Sequence, residues 1–101
     1  MKNQENVIFD LIVHSGNARG LLYEALDKAE MSEFKESEKL MEKAKGEMVL
    51  AHNIQTELIQ DDLRGNGKIS LLLIHAQDQF MNTMTEQSLI ERLIKLQKKI
   101  D

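Results

Sequence analysis

The chain has no cysteine, no proline and no tryptophan, and one tyrosine and three phenylalanines are its only aromatic residues. Without cysteine there is no disulfide framework, no zinc–thiolate site and no cysteine nucleophile. The lack of thiols also fits a reducing compartment. Positive charge is not in excess: 13 Lys and Arg stand against 17 Asp and Glu, for a net charge of −4. Nucleic-acid binding needs a basic face, and every Lys/Arg cluster here is cancelled by flanking acids. Long apolar runs are missing too. None exceeds four residues, as in Leu71-Leu72-Leu73-Ile74, far short of the ~20 residues that span a bilayer. The first sixteen residues are polar for six positions and then amphipathic, without the apolar h-region of a signal peptide. These absences predict a soluble, cytoplasmic chain with no nucleic-acid partner and no direct membrane insertion.

What is present is globular in character. Apolar residues make up 42% and charged residues 30% of 101 positions, which suits one domain over 1–101 that buries ~65% of its unfolded surface. The absence of proline favours long unbroken helices. The glycines fall at 16, 20, 46, 65 and 67, and only Arg64-Gly65-Asn66-Gly67-Lys68 is a clear break. A weaker break lies at Glu30-Met31-Ser32-Glu33, with Ser32 as candidate N-cap. Helices are therefore predicted over roughly 4–30, 33–63 and 68–99. Each carries helical periodicity: Ile8, Leu11, Ser15, Ala18, Leu22, Ala25 and Ala29 in the first, Phe34, Met41, Ala44, Met48, Ala51 and Leu58 in the second. In the third, Ile69, Leu72, Ala76, Phe80, Met84, Ile90 and Ile94 repeat alike. Glu24–Lys28 and Glu91–Lys95 are candidate i, i+4 pairs. The fold class is all-α, an antiparallel up-down-up three-helix bundle.

Residues 69–76 read Ile-Ser-Leu-Leu-Leu-Ile-His-Ala, apolar nearly all the way round. A helix of that kind is buried on every side, and two other helices cannot enclose it. A homo-oligomer with the third helix at its centre is expected. Small residues four apart in Ser15-Gly16-Asn17-Ala18-Arg19-Gly20 favour close helix approach.

Three histidines are the side chains that titrate near neutral pH. His14 and His52 lie mid-helix among apolar neighbours and read as structural. His75 ends the apolar run, with Asp78 and Gln79 at i+3 and i+4 on its side of the helix. A carboxylate one turn away can orient an imidazole and raise its nucleophilicity, although such pairs are also common as purely structural features. Asp78 shares a stripe with Leu71, Ile74 and Met81, the surface assigned to subunit contact. An ionised carboxylate there is costly unless paired, protonated or cation-bound. In a cyclic oligomer the copies of Asp78 would meet at the axis and repel. A shared divalent cation with oxygen ligands, Mg²⁺ foremost, would resolve this; the alternative is that Asp78 simply faces water.

Other catalytic patterns are lacking. Arg64-Gly-Asn-Gly-Lys68 does not have the spacing or the Ser/Thr of a Walker loop, and neither GxSxG nor HExxH occurs. Methionines 41, 48, 81 and 84 read as core filler, and the Glu/Lys alternation at 33–47 as a solvated helix face.

Leu72-Leu-Ile-His-Ala-Gln-Asp78, followed by Phe80-Met81, resembles the signature of the IIA proteins of the lactose/cellobiose class, in the bacterial phosphoenolpyruvate-dependent sugar phosphotransferase system. His14-Ser-Gly-Asn-Ala-Arg19 with Glu24-Ala25 resembles that family's first-helix motif. Ala51-His52 with Gln55-Thr56 and Leu58-Ile59 resembles its second-helix motif. The resemblance spans nearly the whole chain and implies a three-helix subunit assembled as a homotrimer. It implies a phosphoryl group taken from the carrier HPr on His75 and passed to a cysteine of the cognate IIB component, which phosphorylates the sugar at the membrane IIC permease. It places Asp78 as a metal ligand shared by three subunits, with one Mg²⁺ per trimer. The sugar would be a β-linked disaccharide such as cellobiose or chitobiose, or lactose, with the resemblance leaning to the first two. Two departures stand out: Gln79 where the family usually has His, and Gly20 where Ser is commoner. The rival readings are a histidine-phosphotransfer domain, which would normally carry Lys and Gly soon after its histidine, and a non-catalytic helical adaptor.

Overall fold

Residues 3–101 are described by a computed structural model, and they form three helices: α1 (Gln4–Glu30), α2 (Phe34–Leu63) and α3 (Leu71–Ile100). Each start and stop has a local cause. The Asn3 side chain accepts the Asn6 N–H at 2.8 Å to cap α1, and Ser70 Oγ accepts the Leu73 N–H at 3.1 Å to cap α3. α1 ends at Ser32, whose φ is +62°. There Glu33 N–H bonds Lys28 O at 2.9 Å and Ser32 N–H bonds Ala29 O at 3.0 Å, the paired bonds of a Schellman turn. α2 ends the same way at Gly65, φ +85°, with Asn66 N–H on Asp61 O and Gly65 N–H on Asp62 O.

These ends correct the expected boundaries by a few residues. Ser32 does not cap α2; it terminates α1 in the left-handed region, and its hydroxyl donates to Asp101. Glu33 sits at the N-cap without a side-chain bond. The third helix begins at 71 rather than 68, because the Ser70 cap leaves Ile69 outside and exposed. The expected i, i+4 pairs are replaced by longer-range ones: Lys28 reaches Glu33 at 3.3 Å, and Glu91 faces Lys45 at 3.9 Å.

Cross-helix contacts define the topology. His14 of α1 meets Glu47 of α2, and Ser37 Oγ donates to Ala25 O at 2.8 Å, so α1 and α2 are antiparallel. Gly16 lies against Gln79, and Tyr23 bonds Glu86, so α1 and α3 run parallel. α1 is the shared partner, with α2 and α3 each packed on it and barely touching one another. Two apolar clusters stack along the rod. Ile8, Leu11, Ala18, Met48, Ala51, Leu58, Ala76 and Phe80 form one, and Leu22, Ala25, Ala29, Met41, Ala44, Ile90 and Ile94 the other. The many alanines let the helices approach closely. Met41 and Met48 fill the core as expected, whereas Met81 and Met84 are exposed. No helix among the described residues is long and apolar enough to cross a membrane.

The loop into α3 depends on Gly67. A β-carbon there would stand 2.9 Å from Asp62 Cα, closer than packed carbons tolerate. Gly46, mid-helix on α2, has nothing within 4 Å of that position. Gly67→Ala is expected to lower the melting temperature, by an overpacking cost of ~1–3 kcal/mol. Gly46→Ala is expected to raise stability by ~1 kcal/mol through helix propensity. Thermal unfolding followed by circular dichroism tests both signs.

Candidate functional site

The turn of α3 that carries His75 is anchored from inside. Ala76 is fully buried and Phe80 is 2% exposed, both in the first apolar cluster. Leu72 and Leu73 pack against that cluster half-buried. His75 itself is exposed, and no hydrogen bond or ion pair involves it among the described residues. The result is a free imidazole on a rigid turn. Phe80 therefore belongs to the platform below His75 and cannot contribute to an exposed rim around it.

Around the helix, at 100° per residue, His75 lies on the flank toward α1, and Asp78 is about 60° further out. Asp78 is exposed, as are Leu71, Ile74 and Met81, at 83, 55 and 54%. The stripe expected from the sequence is thus present and uncovered within one chain. Asp78 has no ion-pair or hydrogen-bond partner there. The residues of 69–76 are not all core: Leu72, Leu73 and Ala76 face inward, while Leu71 and Ile74 face out. No group of three or more His, Asp or Glu that could hold a metal ion occurs among the described residues, so a single chain offers one carboxylate at this place.

Of the other histidines, His14 is structural in setting, whereas His52 is exposed rather than partly buried. His14 Nδ1 lies 2.5 Å from Glu47 Oε2, part-buried between α1 and α2. The His52 ring is tilted against Phe80 with centroids 6.4 Å apart. Exposed Phe9 and Val13 lie on α1. Gly16 opposite Gln79 and Tyr23 opposite Glu86 set the register between α1 and α3, which puts Val13 level with the turn of His75 and Ala76.

Sequence reasoning missed two features of this flank. One is a polar cluster: Arg19 Nε is 2.9 Å from Glu86 Oε1, and the Tyr23 hydroxyl donates to Glu86 Oε2. The other is a pair of buried oxygens without partners, Ser15 Oγ on α1 and Gln79 Oε1 on α3. Both depend on the register between helices, which a single sequence does not encode legibly.

Comparison with known proteins gives consistent matches. The family described as "PTS system, Lactose/Cellobiose specific IIA subunit" matches residues 6–98. The N,N'-diacetylchitobiose-specific EIIA component of Escherichia coli (strain K12) is 40% identical over 97 residues, covering 95% of this chain and 84% of that protein. The crystal structure of the cellobiose-specific enzyme IIA from Bacillus anthracis superposes with a TM-score of 0.93 at 46% identity, over 99% of this chain and 93% of that one. The IIA(chitobiose) in the solution structure of its complex with HPr, from Escherichia coli, gives 0.86 at 38% identity, over 99% and 98%.

The Glu86 cluster makes a measurable prediction. The hydrogen bond to the Glu86 carboxylate, with some desolvation and the carboxylate's charge, holds the Tyr23 phenol above its ordinary pKa, opposed in part by Arg19. Glu86→Gln removes the charge, so the Tyr23 pKa should fall toward its ordinary value. Tyr23 is the sole tyrosine and there is no tryptophan, so ultraviolet absorbance titration reads it directly. An unmoved curve would dissociate Glu86 from the phenol.

Proposed function

The chain belongs to the lactose/cellobiose-specific IIA family of the phosphotransferase system, and from that membership we propose that it is a cytoplasmic phosphocarrier of sugar uptake, with His75 as the residue that takes and returns the phosphoryl group. The observation that carries this reading is the exposed, unpartnered His75 imidazole on a turn anchored by Ala76 and Phe80. A nucleophile that serves two visiting proteins in turn must be accessible to both and yet fixed in place.

In the first transfer, a lone-pair nitrogen of neutral His75 attacks phosphorus on the phosphohistidine of HPr. The new N–P bond forms as the donor's N–P bond breaks, and that electron pair returns to the donor ring. The other nitrogen of His75 keeps its proton. In the second transfer, a thiolate of the IIB component attacks the same phosphorus, and the N–P electron pair returns to His75. Little covalent work falls to the protein; alignment and charge stabilisation dominate such transfers. The complex of the Escherichia coli relative with HPr supports HPr as the donor. Phe9 and Val13 on α1, with half-buried Leu72, supply an apolar rim level with His75. A rim of that size suits a short-lived encounter.

The uncovered α3 stripe favours a homotrimer in which Leu71, Ile74 and Met81 of three copies meet. Asp78 lies within that stripe without a partner, which fits a ligand set assembled only between copies. Asp78 of each subunit would hold a Mg²⁺ ion. When bound, the ion would neutralise the converging carboxylates. The sugar would be a β-linked disaccharide of the cellobiose or chitobiose kind, or lactose, since the relatives serve such sugars by name. IIA would touch only the IIB partner of the IIC permease.

His75→Ala should abolish acceptance of labelled phosphate from phospho-HPr while leaving helicity unchanged. Acid-labile label retained on the variant would overturn the assignment. Asp78→Leu should abolish divalent-cation binding in calorimetry while the mass by light scattering stays at three times the 11.6 kDa chain. Undiminished binding, or a monomeric mass for the unaltered protein, would contradict the axial site.

A further inference from the structure

Two hydrogen-bonding groups on neighbouring turns of α3 lack partners, and each is what the other needs. Gln79 Oε1 is buried and accepts no hydrogen bond. His75, four residues earlier, carries a ring N–H with no acceptor among the described residues. Helical side chains lean toward the N-terminus, so the Gln79 amide overlies the turn that bears His75. Its other end is already located. Gln79 Nε2 lies 3.3 Å from where a β-carbon on Gly16 would stand, so the bare backbone of α1 provides the space the amide occupies.

We propose that Gln79 is a positioning residue for phosphoryl transfer, its Oε1 accepting the N–H of whichever His75 nitrogen does not bond phosphorus. This rests on His75 being the phosphoryl acceptor. An acceptor on one ring nitrogen fixes the tautomer and leaves the lone pair of the other aimed outward. As the N–P bond forms, positive charge develops on the ring and the retained N–H becomes a stronger donor. Gln79 Oε1 then stabilises the phosphorylated ring without removing its proton. The ring can therefore leave as neutral imidazole when the next nucleophile attacks. An amide suits this task because it accepts a hydrogen bond but carries no charge to trap the imidazolium as an ion pair.

The competing acceptors are less well placed. Asp78 points about 60° away around the helix, onto the apolar stripe. Ser15 Oγ on α1 is also buried and partnerless, but a carbonyl oxygen has two lone pairs, so a bond from Ser15 to Gln79 leaves room for His75.

The test uses the full-length protein with ¹⁵N-labelled histidine, observed by NMR under conditions where the His75 ring is neutral, together with transfer kinetics from phospho-HPr. The unaltered protein should show one dominant His75 tautomer. Gln79→Met, which keeps the shape of the side chain but not the acceptor, should give mixed tautomers. It should also lower kcat roughly five- to tenfold, with KM for phospho-HPr unchanged. Gln79→His restores an acceptor nitrogen and should recover both signatures. Identical ring signals in the unaltered and Gln79→Met proteins, or a loss confined to KM, overturn the proposal while leaving His75 as acceptor. Failure of the unaltered protein to take phosphate at all overturns the His75 reading itself, and this proposal with it.

Discussion

α1 is the only helix that both of the others can lean on. α2 and α3 pack on it from two sides and scarcely meet, so α3 buries one stripe, Ala76, Phe80, Thr83, Ile90 and Ile94, and leaves its opposite face bare. That geometry is a direct consequence of three long helices, each with one apolar stripe. A three-helix rod measuring 52 × 20 × 18 Å cannot fold back to cover itself. The face of Leu71, Ile74 and Met81 thus stays bare within one chain. Asp78 lies in its midst, so copies of the chain packed on that face would bring like charges together.

The same arrangement limits where the proposed nucleophile can stand. The inner stripe of α3 is closed by α1, and the outer stripe is assigned to other subunits, so only the flanks remain available to visitors. His75 occupies the flank toward α1. Its own turn is clamped by the buried Ala76 and Phe80, which keeps an exposed ring from wandering. Access and rigidity usually conflict on a protein surface. Here they are reconciled because the two faces of a single helical turn have different duties.

The three helices, and the place of His75 on the third of them, were legible because they are written in local pattern. The 3.6-residue period gave three helices, and the Gly65–Gly67 break separated the last two. The His75 motif sat at the end of the apolar run Leu71–Ile74. What was not legible depended on distance along the chain. Ser32 looked like a cap because Ser is a good one, yet Met31-Ser32-Glu33 closes α1 through a left-handed turn that glycine more often makes. Glu24–Lys28 and Glu91–Lys95 had ideal spacing, but Lys28 and Glu91 found partners beyond their own turns, at Glu33 and Lys45. Exposed i, i+4 pairs are worth only a few tenths of a kcal/mol, too little to compete with whatever tertiary contact is close.

Gly16 and Gln79 face one another across the seam between α1 and α3. The Gln79 amide must be accommodated on a flank already occupied by α1. At Gly16 the helix presents no side chain, and the amide nitrogen takes the vacant volume at 3.3 Å. A glycine in a helix interior costs about 1 kcal/mol relative to alanine, a cost with no return if nothing uses the space. Ser15 beside it contributes a buried hydroxyl rather than a methyl, again against the local interest of the core. Small and polar residues on α1 and a long amide on α3 make sense jointly, as the walls of a polar notch beside the His75 turn. Taken one at a time they are minor defects in an otherwise well-packed seam.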